Sequence, residues 1–376
     1  MSKRIFHRYL GLSLSVILLI MSITGVMLLW KKEYLWLNIG DSRELITPEL
    51  LPNAITNIES QYKLNEVVFI QFYSEDLAIH KVFLSEQRYA WHNQRGDFIQ
   101  LWQGNERFED FVLDLHHRFL LGNTVGLNIA GIGGIFASIT STLGLLIWWR
   151  RRKRLSKGFL PHNYKRGGLL ISHGNHGAVY FIPITLLIVT GVILVYPVES
   201  RSVLLDSFGL NKPAHIEHDA SSSKLNSNKS LDHTGKPRLS SWSAMINYAQ
   251  ERFPESRIRS AQPAKISPTK EQAFQVNNSG PSNVKRSINL QQADGWHRLG
   301  RTSIKFYDDG RIEVQDELKQ AVAKRVLGFT YPLHTAKLGF AYKLFLTLVG
   351  LAFSIICVFG VYAYFLSVRT NRRSPS

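Results

Sequence analysis

The sequence predicts an integral membrane, α-helical protein in which four transmembrane helices form two repeats, each with an external α+β domain. Four apolar stretches contain no charged residue, and each is long enough to cross a bilayer, which takes about 20 helical residues. Basic residues gather beside these stretches, and histidines recur at matched positions near their ends. The stretches cover roughly residues 9–30, 126–149, 177–196 and 344–368.

These stretches divide the 376 residues into eight segments. The first stretch is long, and no small-residue cleavage site follows it, so we interpret it as a retained helix rather than a signal peptide. The predicted segments are helix 1 (1–30), an external domain (31–115), helix 2 (116–149), a basic loop (150–172), helix 3 (173–196), a second external domain (197–333) with a flexible insertion near 219–240, helix 4 (334–368) and a tail (369–376).

The net charge of +17 suggests nucleic acid as a partner, but its placement favours a membrane. Residues 1–8, 150–172 and 369–376 hold fourteen basic residues and no acidic one, and all three segments flank apolar stretches. This is the positive-inside pattern of cytoplasmic loops. We therefore expect lipid as a partner, no nucleic acid, both termini in the cytoplasm and, most simply, a bacterial inner membrane. The single cysteine, Cys357, excludes an intrachain disulfide.

Two histidines share a spacing pattern. His7 and His173 are each followed four residues later by a glycine and seventeen residues later by a Thr-Gly step. Two further histidines, His116 and His334, each follow a leucine and precede an apolar stretch. The topology places His7 with His173 at the cytoplasmic edge, and His116 with His334 at the outer edge.

Histidines that recur at membrane edges indicate cofactor ligands, because neutral imidazole is a good axial ligand of haem iron. The two pairs predict two b-type haems, since the chain has no Cys-x-x-Cys-His motif for covalent attachment. His117 competes with His116 because its spacing to the next glycine fits better, and His176 competes with His173. Gly11 and Gly177, one turn beyond their histidines, indicate either a close porphyrin or ordinary helix packing.

The length of helix 2 suggests where the outer pair lies. An unbroken helix from His116 to Trp149 would span about 50 Å at about 1.5 Å per residue. The hydrocarbon core is only about 30 Å thick, so His116 would lie at or beyond the outer interface. The same arithmetic holds from His334 to Leu366.

The external segments predict short helices and strands. In the first, we expect a helix over 54–62 and strands over 67–72, 78–84 and 87–92. In the second, we expect a helix over 243–252 and a hairpin in which Asp308-Asp309-Gly310 joins strands 302–307 and 311–314. His215, His218, Asp219 and His233 lie in or just before the polar insertion, and a disordered loop is favoured over a metal site for them.

The whole layout resembles the PepSY-associated transmembrane family. The matching motifs are His7-Arg8-Tyr9-Leu10-Gly11 with Thr24-Gly25, Leu115-His116 through Gly122, Trp148-Trp149-Arg150-Arg151 and Pro332-Leu333-His334-Thr335. The resemblance implies PepSY-like external domains and a role in iron uptake, with some members similar to haem-containing ferrisiderophore reductases.

Two functional hypotheses follow. In the first, electrons pass from a cytoplasmic donor through His7/His173 and His116/His334 to an external acceptor; a ferric siderophore is the acceptor that the resemblance implies. In the second, the protein is a non-enzymatic anchor whose PepSY-like domains bind peptides or regulate a peptidase. A transport role ranks last, because the predicted spans contain no intramembrane acid or base.

Overall fold

The computed structural model describes eleven α-helices, two short 3-10 helices and eight strands within residues 2–39, 48–63, 66–72, 77–152, 159–161, 163–208, 241–263, 284–292, 302–307, 312–319 and 322–372. The chain divides into two compact units. The first comprises Met1–Tyr34, Arg107–Phe208 and Phe329–Ser376, and is helical. The second comprises Leu35–Glu106 and Gly209–Gly328, and contains the sheet.

Three helices of the first unit are long and apolar enough to cross a membrane. They are α1 (Lys3–Leu29), α5 (Gly122–Trp149) and α11 (Phe340–Arg372), the last over its residues 340–368. Large apolar side chains on each are exposed within the structure, as expected for helices that contact lipid. Four shorter helices belong to this unit: α4 (Phe108–Arg118), α6 (Arg166–Val179), α7 (Phe181–Val195) and α8 (Pro197–Phe208). Two more, α2 (Lys31–Ile39) and α10 (Val322–His334), belong to it in part.

The expected third span is broken. Helices α6 and α7 meet at Tyr180 with a bend of 67°, and they satisfy the criteria for a span only as a pair. Pro183 explains the break, because it has no N–H for the carbonyl of Val179, and its ring clashes with that carbonyl. The described chain therefore has three candidate spans, or four if the bent pair counts as one.

The prediction of unbroken helices from His116 to Trp149 and from His334 to Leu366 is wrong. Phe119 and Leu120 have positive φ angles of 52° and 61°, a conformation that ends α4 before α5 begins. Ala336 and Gly339, with φ angles of 56° and 118°, separate α10 from α11 in the same way. His116 and His334 thus lie on short helices that precede the long ones, and the length argument for their position fails.

The second unit contains an eight-stranded antiparallel sheet in the order β4-β3-β2-β1-β5-β6-β7-β8. The first segment supplies α3 (Leu51–Ser60), β1 (Val67–Phe72), β2 (Ile79–Leu84), β3 (Arg88–Asn93) and β4 (Phe98–Gln103). The second supplies α9 (Trp242–Arg252), β5 (Arg257–Gln262), β6 (Val284–Gln291), β7 (Thr302–Tyr307) and β8 (Ile312–Gln315). Pairing of β1 with β5 joins the two segments, a feature that the sequence did not predict.

Helices α3 and α9 pack on one face of this sheet. Their apolar residues, among them Ile55, Ile58 and Met245, form one core with alternate residues of the strands, such as Ile288 and Ile304. Burying such side chains stabilises the unit by about 1.5–3 kcal/mol each. In this unit, each helix and strand expected from the sequence has a counterpart among the described elements. The sequence analysis did not predict β4, β5 and β6. The Asp308-Asp309-Gly310 turn and the 219–240 insertion lie outside the described residues.

Candidate histidine sites

The structure brings together His7 of α1 and His173 of α6, which we call the first pair. Their ring centroids lie 6.1 Å apart. Nδ1 of His7 lies 3.0 Å from the carbonyl oxygen of Thr140 in α5, and Nδ1 of His173 lies 2.9 Å from the carbonyl oxygen of Ile356 in α11. Four helices therefore position the two rings.

A glycine allows each ring of the first pair to approach its carbonyl. Gly144 and Gly360 each lie one helical turn beyond the residue whose carbonyl accepts the hydrogen bond. A Cβ atom on Gly144 would lie 3.0 Å from Cε1 of His7, and one on Gly360 would lie 3.1 Å from Cε1 of His173. Any larger side chain at these positions would push the imidazole away from the helix.

The second pair consists of His116 of α4 and His334 of α10, with ring centroids 6.3 Å apart. Here each Nδ1 contacts a threonine hydroxyl. Nδ1 of His116 lies 2.9 Å from Oγ1 of Thr24, and Nδ1 of His334 lies 3.0 Å from Oγ1 of Thr190. The two contacts are alike, although their partners lie 92 and 144 residues apart in the sequence.

The Thr-Gly steps noticed in the sequence form the docking surfaces of the second pair. A Cβ atom on Gly25 would lie 3.2 Å from Cε1 of His116, and one on Gly191 would lie 3.2 Å from Cε1 of His334. Each threonine hydroxyl donates to a carbonyl of its own helix, Thr24 to Ile20 at 2.6 Å and Thr190 to Leu186 at 2.8 Å. The hydroxyl proton is thus used, and the oxygen accepts from the imidazole.

These contacts define the tautomer of all four histidines. A carbonyl oxygen only accepts hydrogen bonds, and each threonine oxygen has already donated its proton, so Nδ1 must carry hydrogen. Nε2 is then the unprotonated nitrogen with a lone pair, the state that binds a metal. A second hydrogen bond from the opposite ring nitrogen is the usual support of a metal-bound histidine.

The spacing within both pairs fits one metal ion held between two rings. With ring bonds of about 1.33 Å, an imidazole nitrogen lies about 1.1 Å from the ring centroid. Metal–imidazole bonds are about 2 Å long, so two opposed ligands would hold their centroids about 6.3 Å apart. The separations of 6.1 and 6.3 Å agree with this value.

The competing histidines contact other groups. Nδ1 of His176 lies 2.9 Å from the carbonyl oxygen of Ser172 within its own helix, and its ring packs against Phe159, Tyr180 and Phe359. The ring of His117 lies 5.7 Å from that of His116. Within the described part of the chain, His334 has its ring contact with His116 rather than with His117.

The two glycines noticed beside the first pair differ in surroundings. A Cβ atom on Gly11 would lie 3.6 Å from Cγ2 of Thr140, an ordinary contact between α1 and α5. A Cβ atom on Gly177 would meet no described atom within 4 Å. Trp148 Nε1 donates to Oδ1 of Asn175 at 3.1 Å and joins α5 to α6 near this pair.

The two pairs lie at opposite ends of α1. His7 belongs to its second turn and Thr24, which contacts His116, lies near its last turn. Seventeen residues of helix separate these positions by about 26 Å. Among the described residues, His, Cys, Asp and Glu form no group of three or more that could hold a metal ion. Among the described residues, each pair therefore offers two imidazole ligands to a metal.

A family model described as PepSY-associated TM region matches residues 4–366. The chain belongs to this family. The match covers both units of this PepSY-associated TM protein and therefore all four paired histidines. Among curated proteins, none matches the chain.

Sequence reasoning missed part of the site. The sequence analysis gave no role to four residues that support the first pair, Thr140, Gly144, Ile356 and Gly360. The repeated Thr-Gly steps were visible, but their role became clear only from the contacts of His116 and His334.

Proposed function

We propose that this PepSY-associated TM protein is a di-haem electron-transfer protein. One haem b would be bound between His7 and His173, and the other between His116 and His334. The observation that carries the proposal is the shared geometry of the two pairs: Nδ1 hydrogen-bonded to another helix, Nε2 available, and ring centroids 6.1 and 6.3 Å apart.

Haem, when bound, supplies an iron that changes its charge by one electron. The residues of this chain would position the haem and exclude water from it. The four helices that carry the imidazoles and their hydrogen-bond acceptors fix both ligands before binding, so little conformational freedom is lost. The apolar helices keep water away from the ligands, and the glycines leave space for the rings.

The direction of transfer follows from the predicted topology. Cytoplasmic termini place the first pair beside the cytoplasm, where an electron donor would reduce it, and the second pair towards the outer side of a bacterial inner membrane. The acceptor class comes from the family resemblance: a ferric siderophore in the periplasm. Reduction to Fe(II) weakens the hold of hard oxygen ligands on the iron, because the ion is softer and carries less charge.

Proteoliposomes provide the test. The protein would be reconstituted with haem, an enclosed reductant and an external ferric siderophore, and external Fe(II) would be trapped by a coloured chelator. Colour is expected with the natural protein and with His176→Ala, and its loss with His7→Ala or His116→Ala. Equal rates with all four proteins would contradict electron transfer and favour the peptide-binding anchor.

A further inference from the structure

Helix α4 exposes aromatic side chains and buries acidic ones. Phe108 and Phe111 are 48% and 38% exposed, although they are large and apolar. Glu109, Asp110 and Asp114 are buried, with 4%, 8% and 8% of their surfaces exposed. A helix on the surface of a water-soluble domain has the opposite arrangement, with its apolar stripe towards the core and its charges towards water.

The buried carboxylates of α4 are paired with cations. Oδ1 of Asp110 lies 3.9 Å from Nζ of Lys31, and Oδ1 of Asp114 lies 2.5 Å from Nε of Arg118. A charge is tolerated away from water when an opposite charge lies beside it. The polar side chains of α4 are therefore satisfied within the protein, whereas its aromatic face is not covered by any described residue.

The contacts of α4 place its last turn beside the apolar part of α1. The charge-free residues 9–30 span about 33 Å, which matches a hydrocarbon core of about 30 Å and puts the outer boundary near Trp30. Nδ1 of His116 lies 2.9 Å from Oγ1 of Thr24, which is about 9 Å before that boundary along the helix. Lys31, which pairs with Asp110 near the start of α4, directly follows the boundary. Helix α4 therefore descends from the boundary into the apolar layer.

Helix α5 gives the same depth for the end of α4. It runs antiparallel to α1, because Thr140 contacts the first turns of α1, whereas a Cβ atom on Gly133 would lie 3.6 Å from Cγ2 of Ile17, further along α1. Gly126 is seven residues nearer the outer end and is thus level with the turn of α1 that α4 contacts. A Cβ atom on Gly126 would overlap the carbonyl group of Arg118. The last turn of α4 is therefore packed against α5 one turn inside the outer end of that span.

The aromatic face of α4 is continuous with surfaces that contact lipid. Leu120, Leu121 and Val125 follow α4 and begin α5, and all three are exposed. At the start of α4, the ring of Phe108 packs against that of Tyr34, with centroids 5.4 Å apart, and Tyr34 is also exposed. Aromatic rings at this level are typical of the zone where a membrane meets water.

We propose that the face of α4 formed by Phe108 and Phe111 contacts the acyl chains of the outer leaflet, so that α4 is a membrane-embedded helix. Residues 108–115 would then leave the external segment expected over 31–115. His116 and its partner His334 would lie beneath the membrane surface, where a polar acceptor cannot touch the imidazoles. The proposal depends on the exposure and contacts of α4 and goes beyond the proposed electron transfer.

Cysteine labelling in phosphatidylcholine liposomes tests the proposal. Phe108→Cys and Phe111→Cys would be made in Cys357→Ala protein, which has no other cysteine, and treated with a charged maleimide on both sides of the membrane. Both thiols should react at least about tenfold more slowly than that of Glu49→Cys, because maleimide reacts with the thiolate and lipid destabilises this charged form. Ile132→Cys, at an exposed position within α5, is the matched lipid control and should be protected to the same degree.

Photocrosslinking of the natural protein identifies what covers this face. A phosphatidylcholine with a diazirine in its acyl chain should give adducts within residues 108–111, located by mass spectrometry. A second copy of the chain in that place would instead give disulfide-linked dimers of Phe111→Cys under oxidation.

Three results would overturn the proposal: labelling of both variants as fast as that of Glu49→Cys, dimers in place of lipid adducts, or protection without lipid adducts. A protein that binds no haem would overturn the proposed function and leave these measurements unchanged, so the two failures are distinguishable.

Discussion

The imidazole rings of His116 and His334 lie with their centroids 6.3 Å apart, although each belongs to a short helix that ends just before a long apolar one. The same relationship holds between His7 and His173 at 6.1 Å. Two distant pairs with matched spacing and matched support from Nδ1 suggest one kind of ligand for both.

Removing one ligand should remove one haem. We expect His7→Ala or His173→Ala to reduce the haem content of the purified protein from two per chain to one, because the remaining imidazole holds the iron from one side only. The haem content is measured by absorption after extraction. His176→Ala is the control, since that ring bonds within its own helix and should leave two. A full haem content in all three variants would contradict the assignment.

The glycines behind the rings should tolerate no side chain. In Gly144→Val and Gly360→Val the new Cβ would lie 3.0 and 3.1 Å from Cε1 of a ligand, so the ring must move away and its hydrogen bond to the carbonyl must lengthen. Loss of one haem is expected in each.

Gly167→Val is the matched control for these glycine variants. No described atom lies within 4 Å of a Cβ at Gly167, and its φ lies outside the left-handed range. This variant should keep both haems. Haem loss in Gly167→Val equal to that in Gly144→Val would mean that the effect is a general one on helix packing.

A contact of Glu59 should couple the two segments of the sheet unit. Trp242 Nε1 donates to Oε2 of Glu59 at 2.8 Å, and Arg286 lies 3.7 Å from the same oxygen. In Glu59→Ala the buried indole N–H would lack this acceptor, which should lower the free energy of unfolding by about 1–3 kcal/mol. Urea unfolding in detergent, followed by tryptophan fluorescence, measures the change. Glu49→Ala, at an exposed position, is the control and should change the free energy of unfolding by less than about 0.5 kcal/mol. An equal loss in both variants would exclude a special role for Glu59.

The sheet unit should lose stability in mild acid. Burial lowers the pKa of His80 to about 4. The unfolded chain binds a proton at this residue below about pH 6.5, whereas the folded chain does so only near pH 4, so stability falls as the pH drops through this window. At 1.36 kcal/mol per pH unit, the loss reaches about 3 kcal/mol. His80→Leu should flatten the decline seen in urea unfolding at several pH values, and an unchanged slope would show that other groups cause it.

The sequence revealed the histidines but only part of their surroundings. Repetition of His7 with His173, and of Leu115-His116 with Leu333-His334, was enough to propose the two pairs that the structure brings together. The acceptors of the first pair could not be recognised, because Thr140 and Ile356 contribute backbone oxygens, which carry no sequence signal. Their glycines lie more than 130 residues from the rings that they contact.

The fold was predictable where local pattern decides it. Runs of strand-forming residues bounded by turn residues predicted strands such as β1 and β7, and apolar length predicted α1, α5 and α11. Local pattern could not show that β1 pairs with β5, because that pairing depends on contacts between distant segments. Nor did it reveal that Phe119 and Leu120 adopt left-handed backbone conformations, which residues other than glycine and asparagine rarely adopt.

The reduced-minus-oxidised absorption spectrum of the purified protein, produced with added haem, tests the central claim most directly. The account predicts b-type bands, with two haems per chain and both irons bound by two imidazoles. Absence of any haem band in the natural protein would contradict it.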